Sequence, residues 1–179
     1  DFNGHTTTGT YWNNSYNGGA NITTPAFDFD GNAAAFNLSE LTRIQLIWAR
    51  VSEDYSPFEV DVTTEDPGTD SLSRTTAADT TYGIRVCIGG SSNDWLGSNV
   101  GGVAYVGTFK AGNDVPCWVF PAGSGYGAKN IAEAASHEVG HTLGLLHDGI
   151  EGGPVDRVIR PHDRNSRDAE RGQSWQQQP

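Results

Sequence analysis

His137-Glu138-Val139-Gly140-His141-Thr142-Leu143-Gly144-Leu145-Leu146-His147-Asp148 is the stretch on which the reading of this chain turns. His137 and His141 lie four residues apart in a segment, 131–143, that is Ala-rich, free of Pro and free of Gly before position 140. The spacing predicts a helix that carries both imidazoles on one face, a turn apart. Two such imidazoles can ligate one zinc ion at nitrogen–metal distances of about 2.0–2.1 Å. Glu138 is adjacent to His137 and too close to share its ligand geometry comfortably, so it is expected to act on water as a general base. A third ligand on the same helix at position 147 would lie too far along the axis. The chain therefore has to turn, and Gly144 can take the positive φ that ends the helix and returns His147 to the metal. Three neutral imidazoles leave a fourth position open for water, which is the pattern of a catalytic zinc. The reaction implied is peptide-bond hydrolysis.

Upstream, Leu41, Ile44, Ile47, Trp48, Val51 and Tyr55 recur at three- and four-residue spacing. They predict a second helix over 39–55, N-capped by Asn37 or Ser39, stopped by Pro57 and packed on a sheet. Strands are expected near Phe2–Thr8, Phe58–Val62, Tyr82–Ile88, Val103–Thr108 and Cys117–Phe120, with long loops filling the rest of 1–36. Cys87 and Cys117 sit in two of these runs. One disulfide and two buried free thiols are both open readings; the first would mark an oxidising compartment.

The length of 179 residues suits one domain, or one domain with a small lobe. With 36% hydrophobic and 18% charged residues the chain has the composition of a folded protein, not of a disordered one. No run approaches the roughly 20 apolar residues of a membrane-spanning helix. The net charge of −11 argues against a nucleic-acid backbone or an anionic membrane as partner. That charge is uneven: residues 149–179 hold five Arg and five acids, so all of it resides in 1–148. The chain starts at Asp1 and contains no Met, from which any signal or pro-segment is expected to be absent from this sequence. Asp28 with Asp30, and Asp66 with Asp70, could bind calcium, although neither pair belongs to a full EF-hand-type loop.

The run 137–148 resembles the extended zinc signature of metzincin endopeptidases. IWARVSEDYSPFEVDVTTEDP (47–67), GGVAYVGTF (101–109) and IAEAASHEVGH (131–141) resemble secreted bacterial metzincins with matrixin- or adamalysin-like catalytic domains. The resemblance covers approximately residues 1–148. It implies an α+β fold: a twisted mixed five-stranded sheet, a backing helix, an active-site helix, and a cleft between a large upper and a small lower subdomain. It implies that Gly102, Val103, Ala104 and Tyr105 form the edge strand of the cleft, where a protein or peptide substrate binds extended and antiparallel through its main chain. Asp148 resembles the adamalysin residue that supports the segment beneath the zinc. A secreted monomer is expected.

The sequence departs from the family after 148. Metzincins carry a Met-containing turn below the zinc; here Val155 stands where matrixins place that Met, and 149–179 match no lower subdomain. The segment is either a divergent subdomain or a truncated or foreign one. Two functional readings follow: a secreted zinc-dependent endopeptidase, or a folded zinc-binding domain with little or no peptidase activity.

Overall fold

Asn37 decides where the first long helix begins. In the computed structural model, which describes residues 1–147 and the backbone of Val158–Ile159, the Asn37 side chain accepts from the Glu40 amide at 3.0 Å. Glu40 returns the bond to the Asn37 amide at 2.9 Å, completing a capping box, and its other oxygen accepts from Phe29 N at 3.2 Å. The chain then forms, in order, β1 (His5–Thr7), α1 (Tyr11–Tyr16), β2 (Ile22–Thr24), α2 (Leu38–Tyr55), β3 (Val86–Ile88), β4 (Gly102–Tyr105), β5 (Cys117–Val119), α3 (Ala128–Thr142) and β6 (Val158–Ile159). Both predicted helices are present. Within α2, Ile44 and Ile47 are buried, whereas Leu41 and Trp48, at one margin of the apolar stripe, stay exposed. Asp148, Val155 and the expected lower subdomain lie outside the described residues.

The five-stranded sheet is not observed. β1 and β2 form an antiparallel pair of their own, and the main sheet has the order β3-β5-β4-β6. β3 runs parallel to β5, β4 antiparallel to β5, and β6 parallel to β4. Asp1, ahead of β1, meets β3 through two bonds, Asp1 N to Val86 O at 2.6 Å and Ile88 N to Asp1 O at 2.9 Å, while β1 and β2 form a ladder only with each other. No strand forms at Phe58–Val62. Phe58 N donates to Tyr55 O and Val60 N to Phe58 O, so this backbone is satisfied locally and has no strand partner. β4 stops at Tyr105 because Gly107, at φ +80°, turns the chain into a short 3-10 segment, Thr108–Lys110.

Residues 1–36 hold more structure than expected. Asn13 Oδ1 accepts from Thr10 N at 2.9 Å and from Thr10 Oγ1 at 2.8 Å, which starts α1. This short helix exists to bury Trp12, whose indole donates to Pro116 O at 2.8 Å and packs on Tyr105 and Trp118. Too short to be stable alone, α1 depends on that tertiary contact. The main sheet thus has two covered faces: an aromatic core with Trp12, Val103, Tyr105 and Trp118 on one side, and α2 and α3 on the other.

The strand register settles the cysteines. Cys117 pairs with Val86, and Cys87 with Trp118, so the two Cβ atoms leave the sheet on opposite faces. The disulfide reading is therefore corrected: both thiols are free and buried, Cys87 in the aromatic core and Cys117 against α3. Burial pushes the Cys87 thiol up to about 12 and also raises Cys117, which feels the charge of Glu138 besides. Both should resist a thiol reagent at pH 8 in the folded protein and react at once in denaturant, two per chain. The melting temperature should be unchanged by reductant, and a shift of more than a few degrees would contradict free thiols.

Candidate metal centre and cleft

α3 places the histidines as their spacing predicts. His137 and His141 share a face, and the helix ends in a Schellman turn: Gly144 N donates to His141 O at 2.9 Å and Leu145 N to Gly140 O at 3.0 Å. Gly144 lies at φ +102°, a conformation that opposes any side chain. The turn brings His147 back over the helix. Its Nε2 is 2.9 Å from His137 Nε2 and 3.0 Å from His141 Nε2, and the latter two are 2.9 Å apart.

Other contacts hold the helix at the sheet. Gly107 N donates to His141 O at 2.9 Å, fastening the end of α3 beyond β4. On the far side, Tyr55 Oη donates to Ser136 O at 2.9 Å and Ser136 Oγ to Asp54 at 2.6 Å, so the end of α2 braces the turn that carries His137. Burial pushes the Tyr55 phenol up to about 12, which keeps it a donor throughout the neutral range. Residues 32–148, about two thirds of the chain, match the profile of metallo-peptidase family M12B, reprolysin-like. The chain belongs to the reprolysin-like metallopeptidases. No curated protein and no solved structure matches it.

A reprolysin-like peptidase is zinc-dependent, and the donor set here fits that ion. The three nitrogens form a group that could hold a metal, with all ligand atoms within 4.8 Å of one another. Their spacing leaves a common point at the roughly 2.0–2.1 Å of a zinc–imidazole bond. His141 Nδ1 lies 2.8 Å from Leu145 O. A carbonyl only accepts, so Nδ1 carries the proton and Nε2 presents its lone pair to the centre.

Glu138 is buried, at 2% exposure, beside this centre. Its place depends on Gly102, a residue expected only to pair with substrate on the edge strand of the cleft. A Cβ on Gly102 would stand 2.6 Å from Glu138 Oε1, 2.8 Å from Cγ and 3.0 Å from Cδ, so the carboxylate occupies the space where a side chain would be. Gly102→Ala is thus expected to displace Glu138 and lower kcat about 100-fold, as misplacement by an ångström can, with KM and zinc content little changed. Activity within twofold of wild type would mean that Glu138 has room to move. Pairing the substitution with Glu138→Asp, one methylene shorter, should recover part of the loss.

The other three residues of β4 give the cleft no side chains. Val103 and Tyr105 point into the aromatic core, and Ala104 packs with Cys117 and Val139. Only main-chain edges remain, and β6 pairs with Ala104 and Tyr105, so the open edge among the described residues is at Gly102–Val103. A cavity of about 280 Å³ adjoins it, lined by Gly101, Gly102, Glu133, Ala134, His137 and Glu138. Glu133 and Ala134 are legible from sequence only as the helical neighbours, four residues upstream, of His137 and Glu138.

The calcium candidates stand apart from this centre. Asp28, Asp30 and Glu40 bring one oxygen each within 4.8 Å. Their oxygens already serve the chain: Asp28 accepts from Asp30 N and Gly31 N, Asp30 from Asn37, and Glu40 from two amides. Asp66 instead accepts from Gly68 N and from Arg85, a buried guanidinium that also meets Asp1 and Asp114, and it forms no group with Asp70 among the described residues. No helix of the described residues is long and apolar enough to cross a membrane.

Proposed function

We propose that this chain is a secreted zinc endopeptidase that cleaves protein or peptide substrates bound in extended form. The observation that carries the reading is the convergence of three Nε2 atoms at 2.9–3.0 Å with a buried carboxylate, Glu138, next to His137 on α3. His137, His141 and His147 would hold the zinc. When bound, the ion supplies a Lewis acid that polarises the scissile carbonyl and acidifies water.

The chain's own groups do the rest. The open edge at Gly102–Val103 pairs with the substrate main chain as an added antiparallel strand and aligns the peptide with α3. Glu138 takes the proton of the attacking water and returns it to the amine nitrogen as the C–N bond breaks. The Leu145 carbonyl holds the His141 tautomer throughout. Gly144 keeps His147 within reach of the centre, and Asp148 follows it in sequence.

The test is cleavage of a denatured protein by the zinc-loaded chain, beside the same chain treated with a chelator and beside Glu138→Ala. Cleavage by the first alone supports the proposal; equal cleavage by Glu138→Ala would overturn the role of that residue. The Met-free sequence favours a second reading, a zinc-holding domain without turnover. That reading predicts stoichiometric zinc in the zinc-loaded chain and no cleavage in any of the three arms.

A further inference from the structure

We infer that the cavity beside Glu138 takes a lysine or arginine side chain of the substrate, and that Glu133 is the residue that selects it. The inference rests on the endopeptidase reading above and deepens it. Glu133 lies four residues before His137, so it stands on the same face of α3, one turn upstream, and it lines the cavity together with His137 and Glu138. Among the described residues the remaining walls are Gly101, Gly102 and Ala134, which carry at most a methyl group. Among these lining residues, a long apolar side chain finds little surface to bury against, whereas a cation finds a carboxylate.

The direction of the strand says which substrate residue enters. Glu138 lies against Gly102 and His141 is bonded to Gly107, so α3 and β4 progress the same way along the cleft. Glu133, upstream of Glu138, therefore lies toward the start of β4, away from the His141 end of the metal centre. An antiparallel substrate runs toward the start of β4, so the cavity receives the side chain that follows the cleaved bond. Lys129 approaches Glu133 at 3.6 Å, but both side chains are about two-thirds exposed. Such a surface pair is weak and yields to a substrate cation held in the cleft. The surplus of acidic residues in 1–148 also favours the approach of cationic peptides to the chain.

Binding tests this without turnover. The zinc-loaded full chain carrying Glu138→Gln is titrated with a fluorescently labelled alanine hexapeptide whose fourth residue is lysine, leucine or glutamate. The lysine peptide should bind about tenfold more tightly than the leucine peptide and the glutamate peptide most weakly. Adding Glu133→Gln should level the series, Glu133→Lys should invert it, and Lys129→Gln should widen it. In the otherwise wild-type chain, mass spectrometry of a digested denatured protein should place the cuts before Lys and Arg. Equal affinities for the three peptides, no measurable binding of any, or a lysine preference that survives Glu133→Gln would overturn the inference. Failure of the endopeptidase reading would instead show as selective binding with no cleavage by wild type.

Discussion

Replacing Glu138 with alanine is expected to leave zinc bound and the fold intact while lowering kcat by roughly 10²–10⁴, the range that a positioned general base supplies. Glu138 is not needed as a ligand, because the three imidazole nitrogens meet one another without it. The end of the helix is held by other groups: α3 is capped by Gly144 and fastened by Gly107, and both bonds are backbone to backbone. Truncation leaves a small space under Gly102, where the carboxylate now lies. Zinc content by atomic absorption, the melting temperature and kcat on one peptide measure the three consequences separately. Loss of zinc along with activity would reassign Glu138 to holding the metal. Unchanged kcat would move the base elsewhere.

The second large effect concerns His147. Replacing it with alanine should weaken zinc binding more than about 100-fold, because outer-shell partners alone account for 10–100-fold and His147, as one of the three proposed ligands, would supply a bond to the ion itself. The residue is exposed and sits on a turn rather than on the helix, so its removal should cost the apo protein little stability. Gly144→Val should reproduce part of the effect from a position that touches no metal, since a β-branched residue resists φ +102° and would swing His147 away. Competition against a chromophoric chelator reads both affinities. A His147→Ala chain that retains zinc within tenfold of wild type would show that two imidazoles suffice and that His147 is not a ligand.

What could be read from residue order alone was whatever depends on neighbours within a helical turn or two. The i, i+4 spacing of His137 and His141, the glycine at 144 and the return of His147 all follow from local geometry, and so do an N-cap at Asn37 or Ser39 and the Ile44–Ile47 face of α2. Charge behaves likewise, because the balance of a segment is a property of its composition. Strand partners and burial are different, since a ladder needs a second strand far away in sequence. Phe58, Val60 and Val62 alternate as a strand does, yet among the described residues no strand lies beside them to pair with. Trp12 makes a helix of six residues worthwhile only because Tyr105 and Trp118 are there to cover it. Cys87 and Cys117 face opposite ways because of a register that their own segments do not contain. The cleft obeys the same division: the ligands and Glu138 are local to one helix and its turn, whereas the space that Gly102 leaves for Glu138, and the cavity that Glu133 borders, exist only where β4 and α3 come together.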